Sequence, residues 1–106
     1  VSVDYRKEVI TKLTAALEAG RISIVADRPG ASAVCRCQNF RFFLFYKSVF
    51  GPYELHIEEC HDDGSYKGHL AVLNEPSLQE ELGKLFELLA RFEKTSTCQM
   101  ILEAIP

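Results

Sequence analysis

The chain lacks several features that would assign it a function at once. It has no run near the roughly 20 apolar residues that a membrane-spanning helix needs. Its first residues, VSVDYRKEVI, do not show the basic, apolar, small-residue order of a secretory leader. Basic charge is also scarce: 12 Lys and Arg stand against 15 Asp and Glu, for a net charge of −3. Direct nucleic-acid binding by counterion displacement needs clustered cations, so that mode is disfavoured. There is no phosphate-cradling Gly-rich loop, no dinucleotide fingerprint, no Gly-x-Ser-x-Gly elbow and no Cys-x-x-Cys knuckle. No repeat, linker or low-complexity segment divides the chain. These absences point to a cytoplasmic protein without a membrane partner, a cofactor or an enzymatic motif.

What is present suits one ordinary globular domain over residues 1–106. Hydrophobic residues make up 47% of the 106 and charged residues 25%, enough for a single core. The four cysteines are expected as reduced thiols, because a core of this size needs no staples.

Two segments have helical periodicity. Residues 4–19 place Tyr5, Val9, Leu13, Ala16 and Leu17 at helical spacing, with Gly20 in the position of a left-handed C-terminal cap. The segment PSLQEELGKLFELLARFEK, 76–94, offers Ser77 and Glu80 at capping-box spacing and a stripe of Leu78, Leu82, Leu85, Leu89 and Phe92, widened by Phe86 and Leu88. Between them lie short β-like runs separated by turn residues, including DRPG at 27–30 and Asp63–Gly64. After the second helix, TCQMILEA alternates again, with Cys98, Met100 and Leu102 on one side of an expected last strand. The expected fold is therefore α+β: a mostly antiparallel meander of five to six strands with two amphipathic helices on one face, in the order α-β-β-β-β-β-α-β.

Pairing registers follow from the turns. An Asp63–Gly64 type I′ turn sets Ile57 opposite Leu70, Leu55 opposite Val72 and Glu58 opposite His69. An even loop at 49–52 sets Leu44 opposite Ile57, Tyr46 opposite Leu55 and Lys47 opposite Glu54, an attractive cross-strand pair. A tight turn at Gln38–Asn39 puts Cys35 and Cys37 on the core side with Phe42 and Phe40, and sets Arg36 against Arg41.

The strand FRFFLFYK, 40–47, holds five aromatic rings in eight positions and has no clean polar side. If its even residues pack beneath the helices, Phe43 and Phe45 stand on the other face with Arg41, Lys47, Glu54, His56, Glu58 and His69. A curled sheet or a crossing element would cover them. Otherwise, a mixed aromatic and charged face has the composition of a protein interface. The carboxylates Glu54, Glu58, Glu59, Asp62, Asp63 and Glu75 bias the hairpin toward a partner with a basic surface, and self-association through the sheet face is open. An exposed Glu58–His69 pair implies no acid switch.

A competing reading gathers His56, Cys60 and His69 on the outer face, as a transition-metal site or as an activated thiol for a sensor or small enzyme. A flat sheet face offers no oxyanion hole or water-excluding cleft to support it. His61–Asp62 invites comparison with metal-binding His-Asp pairs, but HDDG is explained by turn chemistry. The leading expectation is a non-enzymatic protein–protein interaction domain, of inhibitor, immunity-protein, chaperone or adaptor type, acting through the sheet face as a homodimer or on another protein.

Overall fold

Local chemistry sets both ends of the first helix, α1, Tyr5–Glu18. The Asp4 carboxylate accepts hydrogen bonds from the backbone N–H of Arg6 at 3.2 Å and of Lys7 at 3.4 Å, satisfying donors the first turn leaves open. At the other end Gly20 sits at φ +72°. Its N–H donates to Leu17 O and that of Arg21 to Ala16 O, the paired closure that a left-handed residue permits. The buried face is Ile10, Leu13 and Leu17, whereas Tyr5 and Val9 are exposed. The stripe is thus rotated from the expected one, because Val9 and Ile10 are adjacent and either continues the spacing to Leu13.

The computed structural model describes residues 4–22, 24–26, 31–48 and 50–106; the turn expected at 27–30 lies outside them. One antiparallel sheet follows α1. Four strands, β2 (Ala31–Cys37), β3 (Phe40–Tyr46), β4 (Tyr53–Cys60) and β5 (Tyr66–Leu73), lie side by side in chain order, and the three-residue β1 (Ile24–Ala26) pairs with β2. The β2–β3 hairpin turns at Gln38–Asn39 and sets Cys35 opposite Phe42, Cys37 opposite Phe40 and Arg36 opposite Arg41, as its turn residues indicate.

The next two registers differ from expectation. Between β3 and β4 the partners are Leu44–Leu55, Phe42–Ile57, Phe43–His56, Phe45–Glu54 and Arg41–Glu58. This is a slip of two residues, and Lys47 does not oppose Glu54. The cause is a longer connection, which starts at Lys47 and is closed by Ser48: Gly51 N–H donates to Ser48 O, and Phe50 N–H to Ser48 Oγ. Because the slip is even, every side chain keeps its face.

Between β4 and β5 the loop is Asp62–Asp63–Gly64 rather than a two-residue turn. Gly64 N–H bonds to His61 O, His61 N–H bonds to Ser65 O, and Gly64 lies at φ +87°. This is a three-residue hairpin loop ending in a left-handed glycine. β5 then carries Lys67 and Leu70 as extra residues: Cys60 opposes Tyr66, Glu59 opposes Gly68, Glu58 opposes His69 and Ile57 opposes Ala71. The Glu58–His69 pair survives because one bulge compensates the turn. The second bulge shifts Leu73 opposite Leu55 and Val72 opposite His56, so Leu70 is 50% exposed instead of in the core.

A 3₁₀ turn, Pro76–Leu78, leads into α2, Gln79–Ala104. No side chain caps its start, so the expected capping box does not form. The Gln79 side chain anchors it instead. Tyr53 N–H donates to Gln79 Oε1 at 2.8 Å, and Gln79 Nε2 donates to Tyr53 O at 3.0 Å and Asn74 O at 3.2 Å. One amide thereby stands in for a strand partner at the start of β4. Lys7–Glu81 (3.3 Å) and Arg6–Glu75 (2.8 Å) tie α1 to this end of the molecule.

The strand expected over 97–104 is helical. No Gly or Pro lies between Lys84 and Ile105, and Gln, Met, Leu, Glu and Ala favour helix. Alternation at Cys98, Met100 and Leu102 coexists with helical spacing at Cys98, Ile101, Leu102 and Ile105, and continuation of α2 prevails. Both helices share one core with one face of the sheet: Ile10, Leu13 and Leu17 from α1, Leu82, Leu85, Leu88 and Leu89 from α2, and Cys35, Leu44, Tyr53, Leu55 and Leu73 from the strands. Phe86 packs on Tyr46 and Tyr53, with ring centroids 4.9 and 5.2 Å apart.

Candidate interaction surfaces

The face of the sheet away from the helices is built by alternation from three strands. β3 supplies Arg41, Phe43 and Phe45, β4 supplies Glu54, His56 and Glu58 directly opposite them, and β5 supplies His69 and Val72. Their rings form a continuous row: Phe43 to Phe45 at 6.5 Å, Phe45 to His56 at 4.6 Å edge to face, and His56 to His69 at 6.1 Å. Seven of the eight expected surface residues therefore meet: Arg41, Phe43, Phe45, Glu54, His56, Glu58 and His69. Lys47 lies past the end of β3 and is exposed.

The depth of these residues differs from expectation. Phe43 is 1% exposed and lies outside the helix-side core, so it is the floor of this face and not part of its surface. The Arg41 guanidinium stands 5.7 Å from its ring centroid, a favourable cation–π arrangement. Arg41 in turn binds the Glu58 carboxylate at 3.1 Å, their side chains 19% and 15% exposed, and donates to Gly64 O at 3.3 Å. Glu58 is thus taken by Arg41 and not by His69. Phe45 and His56 are half-buried and His69 is exposed; with Glu54 they form the accessible part.

Arg36, opposite Arg41, avoids repulsion by turning to carbonyls. It donates to Gln38 O, His61 O and Asp62 O. A Cβ at Gly64 would lie 3.0 Å from Arg36 Nη1, so the glycine serves both the loop's backbone and the arginine beside it. The hydrogen bond from His56 at 3.2 Å, followed by one from Asn74 and the charge of Lys47, holds the Glu54 carboxyl below its ordinary pKa. Three of the six hairpin-region carboxylates are matched by cations: Glu58 by Arg41, Glu59 by Lys67 and Glu75 by Arg6. Glu54, Asp62 and Asp63 carry what acidic character remains.

The His56, Cys60 and His69 cluster does not assemble. Cys60 is 1% exposed and opposes Tyr66, and among the described residues no three His, Cys, Asp or Glu side chains converge as metal ligands. The described cysteines are all unpaired. Burial pushes the Cys35 thiol up to about 11, which suits an inert core residue.

Sequence reasoning missed a second surface. Beyond Leu89, α2 leaves the core, and Met100, Ile101, Leu102 and Ile105 are between 52% and 70% exposed. The signal was the i, i+3, i+4, i+7 spacing of Cys98, Ile101, Leu102 and Ile105, hidden by the competing strand-like alternation. Among the described residues no helix is long and apolar enough to cross a membrane. Comparison with protein families, with characterised proteins and with solved structures gives no match.

Proposed function

We propose that the chain is a non-enzymatic protein–protein interaction domain whose partner docks on the outer sheet face. The observation that carries this reading is the row Phe45–His56–His69, flanked by Glu54, on the face that neither helix packs against. A phenyl ring beside two imidazoles over a closed floor can exclude water on contact, while the imidazole nitrogens hold orientation through hydrogen bonds. Phe43, Arg41 and Glu58 fix that floor and are positioning residues. The complementary surface has an apolar or aromatic centre and a cation opposite Glu54. Inhibitors, immunity proteins, chaperones and adaptors all work by such contacts.

The test is cross-linking capture from the source cells with wild-type protein and with Phe45→Glu and His69→Glu, each first shown by circular dichroism and thermal melting to be folded. Partners held by the wild type should be lost from both variants and retained by Leu102→Glu, which leaves the sheet untouched. An unchanged partner set would refute the assignment of this face.

A further inference from the structure

We infer that Asp63–Gly64, in the loop between β4 and β5, is a latent site of isoaspartyl modification that the folded loop holds closed through Ser65 and Arg36. A glycine after an aspartate favours this rearrangement, because no side chain shields its amide nitrogen or restricts its backbone. The Gly64 nitrogen attacks Asp63 Cγ and forms an N–Cγ bond, and the carboxyl hydroxyl leaves as water with the amide proton. Water then opens the cyclic imide. Addition at Cγ restores aspartate, whereas addition at the original backbone carbonyl breaks its bond to nitrogen and leaves the chain running through Cγ, one atom longer.

Both reacting groups are in the loop, and water is the only co-reactant. Asp63 and Ser65 are exposed, so water has access. What opposes the reaction is the way each group is held. Asp63 Oδ1 accepts from Ser65 Oγ at 2.6 Å and from Ser65 N–H at 2.9 Å. Those bonds, the hydroxyl's first, hold the carboxyl below its ordinary pKa, in the ionised form that has no hydroxyl to release. The Gly64 N–H is engaged by His61 O at 2.8 Å, and Arg36 secures that acceptor by donating to His61 O at 3.3 Å and to Asp62 O at 3.2 Å. Arg41 holds Gly64 O at 3.3 Å. Nucleophile, electrophile and the backbone that must swing between them are therefore each restrained. A longer backbone here would draw Gly64 O away from Arg41 and loosen the lid over Phe43.

Ageing the whole chain at neutral pH and body temperature tests this, with isoaspartate located by peptide mapping with an endoprotease that cleaves before aspartate and not before isoaspartate. The urea-unfolded chain should accumulate isoaspartate at Asp63 in preference to Asp62, and at least about tenfold faster than the folded protein, whose loop must open first. Ser65→Ala, shown by circular dichroism and thermal melting to be folded, should isomerise roughly fivefold faster than wild type. Ser65→Thr keeps the hydroxyl and should stay within about twofold of wild type. Arg36→Gln should accelerate the reaction from the other side of the loop. A wild-type chain that isomerises as fast folded as unfolded would overturn the proposal. So would a folded Ser65→Ala or Arg36→Gln protein that ages no faster than wild type, or an unfolded chain without isoaspartate at Asp63.

Discussion

Phe43 and Leu44 are neighbours on one strand, each 1% exposed, yet they are buried by different means. Leu44 is covered by two helices and joins the connected apolar core. Phe43 points to the opposite face, under the guanidinium of Arg41 and beside the ring of Phe45. The inner face is closed by secondary structure brought from elsewhere in the chain, and the outer face in part by long side chains of its own strands. Helix packing fixes a core, whereas a lid of one arginine and a few rings leaves polar groups at the surface, where a partner can use them.

Truncating either residue tests whether the two burials are comparable in size. Phe43→Ala should cost about 3–5 kcal/mol and Leu44→Ala about 2–5 kcal/mol in urea unfolding, the usual range for large core deletions. A loss below about 1 kcal/mol for Phe43→Ala would mean the outer ring is only nominally buried. Next in size is the lid. Arg41→Ala strands the half-buried Glu58 and releases Gly64 O, so about 2 kcal/mol should be lost, and Lys at this position should recover little because it lacks the fork. A double-mutant cycle sharpens the contrast: Arg41→Ala should couple to Phe43→Leu by at least about 0.5 kcal/mol, and add to Leu44→Ala within about that margin.

The smallest effect is that of pH. His56 bonded to Glu54, Ser65 bonded to Asp63, and the Lys7 and Arg6 amides on Asp4 depress these carboxyl pKa values in the folded state. Their stabilisation is therefore complete above the ordinary carboxyl range and lost as pH falls through the depressed values. Thermal melts should be flat from about pH 8 to pH 5 and decline below about pH 4. Since all three groups are near the surface, the decline they cause should be slight, and Glu54→Asn with Asp63→Asn should flatten it further.

The inner face was largely legible in the sequence, because Leu78, Leu82, Leu85 and Leu89 repeat at one period and Leu44 and Leu55 at another. The outer constellation was legible by parity: even with the β3–β4 register two residues away, Phe45, His56 and Glu54 stayed on their face. Depth was not legible, since nothing local to Phe43 states that Arg41 will fold over it instead of extending into water. The bulges at Lys67 and Leu70 were hidden because an Asp-Gly pair serves a two-residue or a three-residue loop equally well. The tail of α2 was misread because Cys98–Leu102 satisfies both periods, and only continuity with the preceding helix decides between them.

Those two bulges also bear on how the molecule stays finite. β5 is an edge strand, and an edge with a regular row of free amides recruits further strands without limit. Lys67 and Leu70 break that row at two places, and among the described residues β1 at the other edge is three residues long. A polymerising sheet-to-sheet contact thus has little template on which to grow.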